Sequence, residues 1–162
     1  MIEISRLFIN GFHQTGGFME KKELSQSLED YLEAILILET KNKVARITDI
    51  ANLLKIKKSS VSKALKLLAE KELINYHPYK FITLQPKGLI FAQRILNKHK
   101  TLKFFCKNIL SLDEKDSDFI ACEMEHFISC KNIQHFQSLI DFFKENPKAA
   151  EAWENKKNMI FK

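Results

Sequence analysis

The chain has 162 residues, 45% hydrophobic and 28% charged, enough apolar residue to exclude a disordered chain and enough length for one domain or two small ones sharing a core. Three cysteines without disulfide-framework spacing point to a reducing cytosol, and no apolar run approaches the roughly 20 residues of a membrane span. The net charge of +6 is unevenly spread: residues 41 to 107 carry 16 Lys and Arg against 3 Asp and Glu, the footprint of a phosphate-backbone binder.

Residues 1 to 24 show no clear period. Gly16, Gly17 and the run Glu20-Lys21-Lys22-Glu23 suggest a loosely ordered arm, and Met19 can stand as a start of its own, which would make the first eighteen residues an extension. Arg6, Asn10 and His13 break up any signal-peptide core. Ser25 or Ser27 is placed to cap a helix carrying Leu28, Tyr31, Leu32, Ile35, Leu36 and Leu38 at helical spacing up to Glu39.

Ile47 to Leu54 reads as a short amphipathic helix capped by Thr48, Lys55 to Lys58 as a tight turn, and Ser59 to Glu70 as a second helix. In that second helix Val61, Leu65 and Leu68 face inward and leave Ser59, Ser60, Ser62, Lys63 and Lys66 to solvent, a helix-turn-helix pattern. Leu73 to Tyr76, the turn His77-Pro78-Tyr79-Lys80 and Phe81 to Leu84 form a predicted β-hairpin, so the unit is a winged helix. Short polar side chains at the start of the second helix suit base edges, while Lys57, Lys58, Lys63, Lys66 and the hairpin residues Tyr79 and Lys80 suit phosphates. From Pro86 the chain returns to helix, with Leu89, Ile90, Ala92, Ile95 and Leu96 as its stripe. Lys103 to Leu110 is strongly apolar, and Ser111 to Glu114 breaks the pattern. Three further helices are expected, at about Glu114 to Cys130, Asn132 to Lys144 and Lys148 to Lys157, the last holding Trp153.

The expected fold is therefore mostly α: a winged helix-turn-helix over residues 25 to 88, then a helical domain over 89 to 162. Its most informative stretch is Ala121-Cys122-Glu123-Met124-Glu125-His126-Phe127. Offsets of three and four return to one helical face, so Cys122, Glu125 and His126 point the same way. A thiol, a carboxylate and an imidazole are transition-metal ligands. Taken alone, the cluster also fits a small buried cysteine beside two surface residues. Asp30 and Glu33, three apart on the first helix, and His99 add candidates, since carboxylates on an otherwise apolar helix need a counter-charge.

In order along the chain, Ser27-Leu-Glu-Asp-Tyr-Leu-Glu-Ala-Ile35, the winged helix, Leu84-Gln-Pro-Lys-Gly88, His99 and Cys122-x-x-Glu125-His126 resemble the diphtheria-toxin-repressor/manganese-transport-regulator family over roughly Ser25 to Trp153. The resemblance implies a homodimeric repressor of metal-uptake genes that binds operator DNA when loaded with Fe²⁺ or Mn²⁺, and a helical metal-binding and dimerisation domain over 89 to 162, with the dimer surface expected on the helices between His99 and Cys130. It implies Asp30, Glu33, His99, Cys122, Glu125 and His126 as metal ligands. Asp30 stands where iron-type members usually have Met, and Cys122 matches the iron-type cysteine, so the set is mixed. At two further iron-type ligand positions this chain has Lys103, which cannot ligate while protonated, and Asp118, which can substitute. Thiolate favours Fe²⁺, Co²⁺ or Zn²⁺ and carboxylates suit Mn²⁺; Asp30 and the broken second set tip the balance toward Mn²⁺. In relatives, Lys57, Ser59 and Lys63 occupy DNA-contacting positions. A cytoplasmic, non-enzymatic regulator with no membrane partner is expected. Two rival readings remain: a winged-helix regulator sensing redox state through Cys122 without metal, and a small metallohydrolase built on Glu125, His126 and Asp30, which lacks a His-Glu-x-x-His motif.

Overall fold

A computed structural model describes residues 24–77 and 81–160. The arm expected over residues 1 to 24, apart from Leu24, and Tyr79 and Lys80 of the wing turn lie outside the described residues. Leu24, placed at the end of that arm, is instead buried with the core.

The fold is mostly α with one small antiparallel sheet. Helices α1 (Gln26–Asn42), α2 (Ile47–Leu53) and α3 (Lys58–Glu70) precede strands β1 (Ile74–Asn75) and β2 (Thr83–Leu84). Helices α4 (Pro86–Phe104), α5 (Glu114–Glu125), α6 (Ile133–Glu145) and α7 (Pro147–Ile160) follow. Ser25 caps α1, its hydroxyl accepting from the Leu28 N–H. Leu32 and Ile35 of α1, Ile50 of α2, Val61, Leu65 and Leu68 of α3, and Ile74 and Ile82 of the wing bury together. Fully burying each large aliphatic side chain contributes roughly 1.5–3 kcal/mol. The helical period that selected the α3 residues therefore selected a real core face.

Thr48 is not the cap of α2. That position belongs to Arg46, which makes no side-chain cap bond, and the Thr48 hydroxyl donates to Asp49 at 3.3 Å. The wing strands are shorter than expected and pair Ile74 with Leu84 and Asn75 with Thr83. An isolated bridge from Ala45 to Ile82 ties the α1–α2 connection to the wing, a long-range pairing no local pattern announces.

Helix α4 is the spine: it packs along α1, α5 and α6. Its start presses on the chain just before β1, since a Cβ on Gly88 would lie 1.9 Å from the Leu73 carbonyl oxygen. Its end continues into a π-helical turn, Phe105–Ile109, within the apolar run. The Ile109 carbonyl there accepts from Trp153 Nε1 at 2.6 Å and from the buried Lys157 Nζ at 2.8 Å, which pins α7 against the turn. That anchorage accompanies a last helix longer at both ends than expected. No helix among the described residues is long and apolar enough to cross a membrane.

Candidate metal centre

Asp113 caps α5 by accepting from the Asp116 N–H at 2.8 Å. The helix stops at Glu125 rather than continuing to Cys130, and His126 takes the C-cap position. Lys98 of α4 meets the helix end: its ammonium donates to the Glu125 carbonyl oxygen at 2.6 Å. A cation on a terminal carbonyl satisfies a group that another helical turn would otherwise use.

The spacing still brings the three side chains together. Ligand atoms of Cys122, Glu125 and His126 lie within 4.8 Å of one another, and so do those of Glu33, His99 and Glu125. Glu125 belongs to both groups and is fully buried. Its Oε2 is 2.9 Å from His99 Nδ1 on α4. His126 reaches back to α1, with Nδ1 2.8 Å from Glu29 Oε2 and Nε2 3.0 Å from Asp30 Oδ1. The second contact is short but not aligned as a hydrogen bond. Three helices thus converge on one carboxylate.

Two buried atoms in this cluster, Glu125 Oε1 and His126 Nε2, have no hydrogen-bond partner and lie 3.5 Å apart. Leaving a buried polar atom unsatisfied costs about 1–3 kcal/mol. Glu125 Oε1 and, once its proton has left, His126 Nε2 are Lewis bases, with Asp30 and Cys122 beside them, so one divalent cation would satisfy all of them. Sulfur, imidazole nitrogen and carboxylate oxygen together suit a first-row transition metal. The residues present fit such an ion.

Concentrated acid groups shift one another. Burial and the Glu125 charge push Glu33 up to about 7. Burial, then Glu125, Asp30 and Glu33, push the Cys122 thiol up to about 11. Burial pulls His126 down, but Asp30, Glu29 and Glu125 outweigh it and raise it to about 9. The bond to Glu125 likewise raises His99.

Asp118 sits at the edge of the cluster. Its Oδ1 is 3.4 Å from His99 Nε2 but 2.6 Å from Lys103 Nζ, and Lys103 also reaches Glu114 at 2.8 Å. The hydrogen bond from Lys103 holds the Asp118 carboxyl below its usual range. The ammonium of Lys103 is thus the cation this carboxylate already has.

Glu29 and Lys98 went unremarked in the residue patterns. Glu29 reads as an ordinary acid in a first helical turn, and Lys98 as one charge of a basic block. The available signal for Glu29 was its place beside Asp30, with an imidazole elsewhere whose second nitrogen needs a partner.

In the winged helix, Lys57, Lys58, Ser59, Ser60, Lys63 and Lys66 are exposed on or just before α3. Ser62 is half-buried, and its hydroxyl donates to the Lys58 carbonyl at 3.0 Å.

A winged helix whose first helix also contributes to a buried ligand cluster defines the class of DNA-binding regulators governed by a metal ion. Residues 23–82 match the family model for the iron dependent repressor N-terminal DNA binding domain, and residues 85–154 match that for the iron dependent repressor metal binding and dimerisation domain. The chain belongs to this iron-dependent-repressor family, the diphtheria-toxin-repressor/manganese-transport-regulator group of metal-dependent transcriptional regulators. An HTH-type transcriptional regulator of Methanocaldococcus jannaschii is 42% identical over 123 residues, covering 75% of this chain and 98% of that protein. The HTH-type transcriptional regulator MntR of Geobacillus thermodenitrificans is 33% identical over 129 residues, covering 80% of this chain and 91% of its own. The crystal structure of IdeR from T. acidophilum shares the fold, with a TM-score of 0.63 at 24% identity over 78% of this chain. This chain spans 56% of the length of that structure. Family members are transcriptional regulators and not enzymes.

Proposed function

We propose that the protein is a homodimeric, metal-activated repressor of metal-uptake genes, with Asp30, Glu33, His99, Cys122, Glu125 and His126 as its ligands and Mn²⁺ slightly preferred over Fe²⁺. The observation that carries this reading is the unsatisfied pair Glu125 Oε1 and His126 Nε2, buried between side chains of α1 and α5. A divalent cation bound there would supply the positive charge that this group of carboxylates lacks. Asp30 and Glu33 would then hold α1, and with it the winged helix, in one orientation against α5. The dimer surface would lie in the C-terminal half, where Phe119 is 65% exposed. Lys57, Lys58, Ser59, Ser60, Ser62, Lys63 and Lys66, with Tyr79 and Lys80 of the wing turn, would face operator DNA. Three carboxylates against one thiol support Mn²⁺, and the cytoplasm is where such a regulator would meet it.

A gain of tenfold in DNA affinity needs about 1.4 kcal/mol of coupling, and DNA must tighten metal by the same factor. The test titrates Mn²⁺ and Fe²⁺ against DNA from upstream of a metal-uptake gene, with a chelator control. Metal content and affinity are measured for the wild type, Cys122→Ala and Asp30→Met. Equal DNA affinity with chelator and with metal would sink the gating claim, and unchanged metal binding in both variants would remove the site.

The redox reading through Cys122 is disfavoured by its surroundings. A sensing thiol needs a lowered pKa, whereas this one, though exposed, is pushed up to about 11 by partial desolvation and the neighbouring carboxylates.

A further inference from the structure

His126 is held by two consecutive residues of α1, one at each ring nitrogen, and the two contacts differ in kind. Glu29 Oε2 and Nδ1 form an aligned hydrogen bond of 2.8 Å. Asp30 Oδ1 lies 3.0 Å from Nε2, yet Nε2 has no hydrogen-bond partner and stands 3.5 Å from Glu125 Oε1. The imidazole is 1% exposed, so water does not compete for either nitrogen, and Glu29 is itself only 15% exposed.

A neutral imidazole carries one N–H, and a metal takes the lone pair of the other nitrogen. Glu29 and Asp30 can both only accept, but only the Glu29 bond is aligned, so the proton is kept on Nδ1 and the lone pair falls to Nε2 when a metal binds there. We propose that Glu29 is the positioning residue of the metal centre: it accepts the Nδ1–H of His126, fixes the tautomer and ring plane, and presents Nε2 as the ligand atom. The proposal rests on the metal reading of the cluster above. A first-turn acid on a helix usually needs no partner, because the helix dipole suffices. Glu29 instead reaches a residue 97 positions along the chain. The bond also joins α1 to the end of α5 through a group that is not itself a ligand, so the ring is already aimed before an ion arrives. Outer partners of this kind orient the ligand and raise its basicity.

The test compares wild type, Glu29→Gln and Glu29→Leu, with Mn²⁺ for affinity, Co²⁺ under anaerobic conditions for visible spectra and Zn²⁺ for ¹⁵N NMR of His126. In the wild type the proposal expects a protonated Nδ1 and a metal-bound Nε2. Glu29→Leu should lose roughly 10- to 100-fold in Mn²⁺ affinity and show an altered Co²⁺ spectrum at saturation. Glu29→Gln, whose amide oxygen still accepts, should recover most of the affinity and the wild-type spectrum. A merely structural staple would leave the saturated spectrum and the tautomer alone. The proposal is overturned if wild-type His126 binds through Nδ1, a result independent of whether either variant folds. It is overturned equally if Glu29→Leu keeps wild-type affinity and spectrum. Failure of the wild type to bind Mn²⁺, Co²⁺ or Zn²⁺ would instead overturn the metal reading itself.

Discussion

Glu125 Oε2 lies 2.9 Å from His99 Nδ1, joining α5 to α4 through a carboxylate with no solvent exposure. Around it Glu33 is raised to about 7 and Cys122 to about 11, both by burial first and then by neighbouring negative charge. His126 reaches about 9 because its carboxylate neighbours outweigh burial. At neutral pH the centre therefore carries protons that must leave before its atoms can ligate. Mn²⁺ affinity should rise steadily between pH 6 and 8, with at least one proton released per subunit. Calorimetry in buffers of different ionisation enthalpy reads both; a flat affinity with no released proton would contradict the shifts.

The same groups set the stability of the metal-free protein. Glu33 titrates near 4.5 when unfolded and about 7 when folded, so between those values the folded state binds more protons and stability falls as pH rises. The contribution of His126 is complete below 6.5 and lost as pH rises through about 9. Both run in one direction. At the acid end Glu114, held at about 2 by its bonds to Lys103 and Lys107, and Asp118, also lowered by Lys103, act oppositely. These two are solvent-exposed, which weakens their effect. The Tm in chelator should therefore peak near pH ~5 and decline toward pH ~9, and a scanning-calorimetry series with a maximum at alkaline pH would refute this.

Asp118 already has Lys103 as its cation at 2.6 Å. Asp118→Asn should leave Mn²⁺ affinity within about threefold, since a half-exposed ion pair contributes little. Equilibrium dialysis decides the matter, and a loss of tenfold or more would return Asp118 to the ligand set.

Gly88→Ala should be severe. The new Cβ would meet the Leu73 carbonyl oxygen at 1.9 Å, and backbone cannot step aside as a side-chain tip can. Overpacking of this kind costs roughly 3 kcal/mol or more, readable in urea melts. A variant as stable as the wild type would mean that α4 does not press on Leu73 in solution.

Lys63 is exposed on α3 and pairs with no acid among the described ion pairs. Lys63→Ala should weaken operator binding and reduce the slope of log K against log salt by about 1. An unchanged slope in a fluorescence-anisotropy salt series would place Lys63 off the phosphates.

The winged helix was legible because its signals are local. Val61, Leu65 and Leu68 recur at helical spacing, and all three are buried. The candidate cluster was half legible: a thiol, a carboxylate and an imidazole at offsets of three and four share one face, and they do meet. What escaped depends on distant partners. The end of α5 carries a bond from Lys98 on another helix. The length of α7 goes with Trp153 and Lys157 finding the Ile109 carbonyl of a π-helical turn. Glu29 differs from any first-turn acid only by the ring it touches. Periodicity records which face is apolar, and none of these facts is about a face.

At the far end of α1 from this ring, Glu39 Oε1 accepts from the Leu84 N–H of the wing at 3.0 Å. Ten residues of one uninterrupted helix separate Glu29 from Glu39, about 15 Å at the α-helical rise. With no loop between them to absorb a tilt, α1 is a rigid pointer: one end meets an imidazole and the other bears on a strand of the wing. Softening its middle, for instance with a glycine at the exposed Ile37, would leave a protein able to register its ion and its operator, each in ignorance of the other.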